Sequence, residues 1–250
     1  MLNTSQIKAL QADVKAVAIA AGNAIMDIYQ RDFAIYTKTD ESPLTEADLA
    51  AHHVIVDGLT ALSDLPILSE ESANIAWSER QTWQSYWLVD PLDGTKEFIN
   101  KNSEFTVNIA LIENGKPILA VVYAPALNKA WLGDGKTAWL VTKAGKEVIR
   151  LLPATIPTVV GSRSHPSVEL EAYLQQLGEH KLVAVGSSLK FCLVAEGRAQ
   201  YYPRLGPTMM WDTAAGQCIA ESAGATVNDL DGFPLRYDRE SLLNPYFVVS

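Results

Sequence analysis

Two aspartates three positions apart follow a short apolar segment and have the strongest chemical signal in the sequence. Asp90 and Asp93 lie in the hexapeptide DPLDGT, in which Pro91 fixes the turn and removes a hydrogen-bond donor. Two carboxylates held this close repel each other unless a cation neutralises them or one takes up a proton. Mg²⁺ prefers oxygen ligands, which Asp90, Asp93 and the carbonyl of Leu92 would supply. The alternative is that both aspartates are ordinary turn residues that cap the residues after them.

Three further acidic positions have weaker individual signals. Glu70 follows a second short apolar strand, although a Glu-Glu pair usually belongs to a solvated loop. Asp48 stands three residues after Thr45, which is the spacing of a helix capping box. Asp212 opens the last long helical pattern and could equally be its N-cap. Only the conjunction of these residues with the aspartate pair of DPLDGT favours a metal site.

The residues that follow the aspartate pair suit phosphate chemistry. The backbone N–H groups of Gly94 and Thr95 face outward at a turn that leads into a short helical segment, and such a turn can bind an anionic oxygen. The Thr95 hydroxyl can hold or help to deprotonate an attacking water. Two divalent ions placed close together can activate that water and stabilise the leaving oxygen. A covalent nucleophile is not indicated, because GSRSH at 161–165 is not a GxSxG elbow.

Four separated motifs resemble one known family. DPLDGT at 90–95 and WDTAAG at 211–216 are similar to the paired signature of the inositol monophosphatase superfamily of Mg²⁺-dependent, lithium-sensitive phosphatases. SEES at 69–72 is similar to the glutamate motif of that superfamily, and TEAD at 45–48 to its helix aspartate. The resemblance covers nearly the whole chain. It implies a layered αβαβα sandwich, a requirement for two or three Mg²⁺ ions, and inhibition by Li⁺.

The resemblance also implies roles for individual residues. The implied metal ligands are Glu70, Asp90, the Leu92 carbonyl, Asp93 and Asp212. The implied catalytic residues are Asp48, Glu70 and Thr95, of which Asp48 and Thr95 orient and activate the attacking water.

Shorter segments resemble one branch of this superfamily. Thr95 is followed by Lys-Glu-Phe, and the segments 161–165, 186–192 and 202–204 are similar to those of CysQ-type 3'(2'),5'-bisphosphate nucleotidases of sulfur assimilation. These enzymes convert adenosine 3',5'-bisphosphate (PAP) to AMP by removing the 3'-phosphate. One alternative is an inositol- or sugar-phosphate phosphatase with the same metal ligands. Another, of a different class, is a non-catalytic sensor that binds metal and nucleotide.

A substrate with two phosphates needs cations away from the metal centre to hold the phosphate that is not cleaved. Lys190 and Arg204 are the candidates, with Ser187 and His165 near them in the pattern. Simpler alternatives exist, since Lys190 could be solvated in the first turn of a helix and His165 could cap or line a loop. The predicted substrate-binding residues are Glu70, Asp93, Gly94, Thr95, His165, Ser187, Lys190, Arg204 and Asp212.

Apolar periodicity predicts the elements that position these residues. An apolar stripe that includes Val14, Ala21 and Ile25 predicts a helix over 5–29. A strand over 33–38, a helix from Thr45 to 62, and strands over 66–69 and 86–89 follow. The region 105–141 is predicted to be an antiparallel meander, with turns at Asn114-Gly115 and Asp134-Gly135 that suit positive φ angles.

After residue 157 the predicted strands and helices alternate. The strands are 158–162, 182–185 and 199–202, and the helices are 167–177, 188–196 and 213–223, with Gly178, Gly197 and Gly224 as helix stops. The predicted fold class is α/β. An α+β metal-binding catalytic lobe over 1–154 precedes a smaller α/β substrate-binding lobe over 155–250.

The composition is that of a folded, acidic protein. Of 250 residues, 48% are hydrophobic and 20% are charged, which excludes disorder as the default state. The net charge of -9 argues against a nucleic-acid polymer as partner, since polymer binding needs a basic surface. No segment is apolar for long enough to span a membrane, and Cys192 and Cys218 are predicted to be buried free thiols. We expect a cytoplasmic protein, monomeric or homodimeric; peripheral association with the cytoplasmic face of the bacterial inner membrane is suggested by the resemblance alone.

Overall fold

The computed structural model describes residues 4–37, 43–162 and 168–250. The helices are α1 (Thr4–Tyr29), α2 (Glu46–Leu62), α3 (Trp77–Arg80), α4 (Thr95–Ile99), α5 (Val168–Leu177), α6 (Leu189–Ala195) and α7 (Met210–Ser222). The strands are β1 (Ile35–Thr37), β2 (Pro43–Thr45), β3 (Ile67–Ser69), β4 (Ser85–Asp93), β5 (Thr106–Glu113), β6 (Lys116–Ala124), β7 (Lys129–Gly133), β8 (Ala138–Thr142), β9 (Gly145–Ile149), β10 (Thr158–Ser162), β11 (Lys181–Val185), β12 (Tyr202–Arg204), β13 (Val227–Asp229) and β14 (Phe247–Val249). A 3₁₀ turn spans Glu70–Ser72.

A seven-stranded sheet in the order β3-β4-β5-β6-β7-β8-β9 forms the centre of the fold. β3 runs parallel to β4, and the other neighbouring strands are antiparallel. The predicted meander is confirmed and continues into β9. The sequence did not indicate β9 because its first four residues are all exposed, so it lacks the alternation of a half-buried strand.

The two predicted turns of the meander differ from each other. Asn114 and Gly115 have φ angles of 49° and 72°, as a type I′ turn requires. At the second turn only Gly135 has a positive φ, of 76°. Asp134 instead accepts hydrogen bonds from the backbone N–H groups of 136–137 at 3.0 and 2.8 Å. The prediction of a positive φ at Asp134 is therefore wrong, because hydrogen bonds from the backbone to the Asp134 side chain stabilise a different turn.

Helices α1 and α2 pack on one face of the central sheet. The predicted stripe of α1 is confirmed, since Val14, Ala21 and Ile25 are fully buried against the sheet. α2 buries one residue on each successive turn from Ala47 to Leu59. Both helices therefore present a continuous apolar face at helical spacing.

The opposite face of the sheet carries α7, and α6 packs against α7. Gly216 of α7 allows this close contact, because a Cβ at Gly216 would lie 2.4 Å from the ring of Phe191 in α6. Cys192 and Cys218 are buried free thiols in these two helices, as predicted.

Smaller sheets lie beyond α6 and α7. β10 and β11 are parallel, and β12, β14 and β13 form an antiparallel sheet in that order. The predicted strand over 199–202 is shifted, because β12 begins only at Tyr202. β13 and β14 were not predicted; each has three residues, too few to establish a period. The predicted helix stops are confirmed by positive φ angles at Gly178, Gly197 and Gly224.

The layers therefore alternate as the predicted αβαβα sandwich requires: α1 and α2, the central sheet, α6 and α7, the smaller sheets, and α5. Because α7 packs on the central sheet, the two predicted lobes share a core, and the boundary near residue 154 stays a prediction. Over 4–37, 43–162 and 168–250, none of the helices combines the length and apolar character needed to cross a bilayer.

Candidate active site

A β-bulge at the end of β4 brings Asp90 and Asp93 together. Asp90 lies opposite Asn108 of β5 and Asp93 lies opposite Thr106, so β4 uses three steps where β5 uses two. In a regular strand, residues three apart point to opposite faces, whereas the extra residue of a bulge turns both to the same side. Pro91 lies within the bulge, where its missing N–H breaks no regular ladder pair.

Asp212 joins this pair from the first turn of α7. One carboxylate oxygen of each of Asp90, Asp93 and Asp212 lies within 4.8 Å of the others. Asp212 is the third residue of α7, and its Oδ2 accepts a hydrogen bond of 2.8 Å from the backbone N–H of Met209, the N-cap. The alternative that Asp212 is itself the N-cap is therefore wrong, although it does stabilise the start of the helix.

Burial and mutual repulsion both disfavour the charged forms of this cluster. Asp90 is 1% exposed, and burial raises its pKa well above the usual range, with further increases from the charges of Glu70 and Asp93. Burial and then the charge of Asp93 raise the pKa of Asp212 to about 8. Burial also raises the pKa of Asp93, although Lys190 opposes that shift. Crowded buried carboxylates of this kind fit a hard divalent cation, whose charge would offset their repulsion.

Glu70 and the Leu92 carbonyl lie at the edges of this cluster. Glu70 is the first residue of the 3₁₀ turn after β3 and lines the same cavity, although it is not one of the three mutually close carboxylates. The Leu92 carbonyl oxygen lies 3.3 Å from Thr95 Oγ1, within hydrogen-bonding distance. The structure thus places both predicted ligands at the site without assigning them to a metal.

Asp48 both caps helix α2 and contacts a residue of the candidate site. Its Oδ2 accepts hydrogen bonds from the backbone N–H and the hydroxyl of Thr45, at 2.7 and 2.6 Å, in the predicted capping box of α2. Its Oδ1 accepts a hydrogen bond from Thr95 Oγ1 at 3.2 Å. Thr95 begins α4 directly after Gly94, whose φ of 91° turns the chain out of β4. The capping box therefore holds Asp48 where it can also orient the Thr95 hydroxyl.

Two buried cations line the same cavity, which has a volume of about 260 Å³. Lys190 is 6% and Arg204 is 9% exposed, so the alternative of a solvated Lys190 is wrong. Lys190 Nζ donates to the carbonyl of Ser187, and burial lowers the pKa of Lys190 to about 8, with the charge of Arg204 adding to the decrease. Among the described residues, Arg204 Nε and Ser187 Oγ are buried without a hydrogen-bond partner. Unpartnered polar atoms in a cavity wall indicate a place for a polar ligand.

The residues of the site differ in part from those predicted from the sequence. His165 lies outside the described residues. Glu97, Tyr202 and Thr213 line the cavity without having been predicted to do so. Asn108 is buried beside Asp93, and its only sequence signal was a polar residue within an otherwise apolar strand.

The raised carboxyl pKa values predict how stability depends on pH. A carboxyl group whose pKa is higher in the folded than in the unfolded protein contributes stability at low pH that is lost as pH rises through the folded pKa. We expect the free energy of unfolding in EDTA to fall from about pH 4 to about pH 8 because Asp212 must ionise in this range. We also expect the rise in Tm caused by Mg²⁺ to grow with pH, because metal ligands must be deprotonated.

Thermal unfolding across this pH range, with EDTA or with Mg²⁺, measures both effects. Asp212→Asn should reduce the pH dependence in EDTA, whereas Asp231→Asn, at an exposed position, should leave it unchanged. An equal Mg²⁺-induced rise in Tm at every pH would contradict the prediction.

The comparison with known families agrees with this fold and site. The signature of the Inositol monophosphatase family matches residues 6–246. The chain belongs to the inositol monophosphatase family.

Within this family, the chain is most usefully compared with proteins named CysQ. The chain is 57% identical over 234 residues to the 3'(2'),5'-bisphosphate nucleotidase CysQ of Escherichia coli strain K12, covering 92% of this chain and 95% of the relative. The protein of the same name from Shigella flexneri is similar to the same extent. The crystal structure of CysQ from Bacteroides thetaiotaomicron, a bacterial member of the family, is 41% identical, with a TM-score of 0.86, and the match covers 96% of this chain and 97% of that one.

Proposed function

We propose that this protein is a Mg²⁺-dependent 3'(2'),5'-bisphosphate nucleotidase that hydrolyses PAP to AMP and phosphate. Family membership makes it a phosphoric monoester hydrolase, and the similarity to CysQ nucleotidases favours the bisphosphate over an inositol or sugar phosphate. The observation that carries the proposal is the presence of two buried cations, Lys190 and Arg204, in the cavity that also contains the carboxylate cluster. A substrate with two phosphates needs a positive partner at both ends.

The carboxylate cluster would bind the metal. The residues that would hold Mg²⁺ are Glu70, Asp90, the Leu92 carbonyl, Asp93 and Asp212. When bound, Mg²⁺ supplies positive charge that polarises phosphoryl oxygens and lowers the pKa of a coordinated water.

Thr95 and Asp48 would orient the attacking water. The Thr95 hydroxyl lies within hydrogen-bonding distance of both Asp48 Oδ1 and the Leu92 carbonyl, and its single hydrogen serves one of them at a time. With that hydrogen donated to Asp48 Oδ1, the lone pairs of the Thr95 oxygen would be available to accept a hydrogen from water. The water oxygen would then attack phosphorus and give up one proton, which Asp48 would accept, while the bond from phosphorus to the 3'-oxygen breaks. The 3'-oxygen would take up a proton from solvent, and Asp48 would return its proton to solvent.

The two cations that line the cavity would hold the 5'-phosphate. Lys190 and Arg204 supply positive charge, and the unpartnered Ser187 Oγ supplies a hydroxyl. The proposed substrate contacts remain those predicted from the sequence: Glu70, Asp93, Gly94, Thr95, His165, Ser187, Lys190, Arg204 and Asp212.

Replacing Thr95 by valine tests the proposed role of its hydroxyl. Valine keeps the shape of threonine but has no hydroxyl to link the attacking water to Asp48 by hydrogen bonds. We therefore expect kcat to fall about a hundredfold or more with little change in KM. Thr95→Ser keeps the hydroxyl and should retain most of the activity. Steady-state kinetics of both variants checks the prediction, and equal losses for serine and valine would contradict it.

The proposed activity is tested by measuring phosphate release from PAP and from inositol 1-phosphate, each with Mg²⁺ and with a chelator. Mg²⁺-dependent release that is much faster from PAP supports the proposal, and Li⁺ should inhibit it. Faster release from the inositol ester would overturn the substrate assignment. Tight binding of PAP without turnover would favour a sensor. A cytoplasmic location and a monomeric or homodimeric state remain predictions, and peripheral membrane association is not supported.

A further inference from the structure

Asn108 is a buried polar residue beneath the carboxylate cluster. It lies in β5 directly opposite Asp90 and is 1% exposed. Burying an amide costs free energy unless its hydrogen-bonding groups find partners. The partners of Asn108 therefore indicate what the residue does.

Both amide hydrogens of Asn108 are used at the site. Nδ2 donates to Asp93 Oδ2 at 3.2 Å and to Ser188 Oγ at 2.9 Å. Ser188 in turn donates its single hydroxyl hydrogen to the backbone carbonyl of Asp212 at 2.9 Å. Because an amide has two N–H hydrogens, Asn108 donates to Asp93 and to Ser188 at once. Ser188 also contacts Asp93 through its hydroxyl and its backbone N–H, so Asn108 and Ser188 together hold Asp93 and the start of α7.

The other atom of the amide supports this orientation. Asn108 Oδ1 is buried and has no hydrogen-bond partner among the described residues. Rotating the amide by half a turn would place Oδ1 against Asp93 Oδ2 and would remove both donated bonds. The unpartnered oxygen is thus the cost of keeping two donors at the site.

We propose that Asn108 is a positioning residue that preorganises the carboxylates for a divalent cation. It fixes Asp93 directly and fixes the first turn of α7, which carries Asp212, through Ser188. Ser188 also immediately precedes α6, so the same contacts link the carboxylate cluster to the helix that carries Lys190. The role of Asn108 in metal binding rests on the proposed function in one respect only, namely that the bound cation takes part in catalysis.

The test is a titration of the metal-free protein with Mn²⁺, in which the free ion is measured by electron paramagnetic resonance. Asn108→Leu keeps a similar volume and removes both donors. Asn108→Ala removes them without adding branched carbon, in case the leucine variant does not fold. We expect both variants to raise the Kd for Mn²⁺ by about 10- to 100-fold, as loss of residues that support metal ligands does elsewhere.

Thr106→Val is the matched control. Thr106 lies on the same strand two residues before Asn108, opposite Asp93, and is fully buried. Its hydroxyl has no hydrogen-bond partner among the described residues, and valine has nearly the same shape. The Kd of Thr106→Val for Mn²⁺ should stay within about twofold of the wild-type value, because the substitution removes no hydrogen bond to the described residues.

Activity at varied Mg²⁺ gives a second measurement. The activity of Asn108→Ala should recover at high Mg²⁺ concentration, which a general loss of folding would not allow. The inference is overturned if Asn108→Ala binds Mn²⁺ as the wild type does, or if Thr106→Val weakens binding equally. If the wild type binds Mn²⁺, the Asn108 variants do not, and PAP is not hydrolysed, then the proposed function fails while the positioning role stands.

Discussion

Asp90→Asn should abolish Mg²⁺-dependent phosphate release and at the same time stabilise the metal-free protein. Asparagine has the shape of aspartate, and its Oδ1 can still accept the hydrogen bond of 3.1 Å that the Leu92 N–H donates to Asp90. It lacks the negative charge that a divalent cation needs from a ligand. A loss of several kcal/mol of transition-state stabilisation corresponds to a decrease of about a thousandfold in kcat/KM.

The gain in stability follows from the same substitution. Burial raises the pKa of Asp90 most, and the charges of Glu70, Asp93, Asp212 and Asp48 raise it further. A neutral side chain removes this repulsion, so we expect Tm in EDTA to rise by about 2–4 °C, the change that corresponds to about 1 kcal/mol in a chain of this size.

Phosphate release and thermal unfolding in EDTA measure the two effects. Asp231→Asn, at an exposed position, is the control and should change neither quantity. A metal-free Asp90→Asn protein that is less stable than the wild type would show that Asp90 supports the fold, and would contradict the proposed conflict between stability and function.

Lys190→Ala or Arg204→Ala should raise KM for PAP far more than KM for adenosine 3'-monophosphate, which lacks the 5'-phosphate. Removing a hydrogen bond to a charged group costs about 1.5–3 kcal/mol, or about ten- to a hundredfold in affinity. Both cations line the same cavity as the carboxylates, and Lys190 interacts electrostatically with Asp93 and Asp212. We expect a smaller change in the reaction of the monophosphate, because it lacks the phosphate that these cations would bind.

Steady-state kinetics with both nucleotides measures this difference. Arg198→Ala is a suitable control, because the side chain of Arg198 is 62% exposed and lies outside the cavity lining. Equal effects on the two substrates would contradict the assignment of Lys190 and Arg204 to the 5'-phosphate.

The sequence predicted those parts of the site that depend on local signals. The capping box of Thr45 and Asp48 and the turn through Gly94 involve residues close together in the chain, and both are present. The apolar stripe of α1 was likewise visible as a period. Local hydrogen bonding and side-chain spacing are enough to specify features of this kind.

Features that depend on distant residues could not be predicted in this way. The role of Asn108 requires the start of α6, which lies 80 positions away, to reach β5. The burial of Lys190 requires packing from several elements, and its position in the first turn of a short helix had left solvent exposure open as the alternative to a role in phosphate binding. The residue that caps α7 is Met209, an uncommon N-cap that composition does not indicate.

Gly216 lies at the contact between the helix that carries Asp212 and the helix that carries Lys190. It lies one turn after Asp212 on α7, and it touches Phe191, the neighbour of Lys190 on α6. Because Gly216 has no side chain, Phe191 packs directly on the backbone of α7, and this close contact helps to set the position of Lys190 relative to Asp212. A larger residue at position 216 would push α6 away from α7 and would shift Lys190 without replacing any residue that lines the cavity.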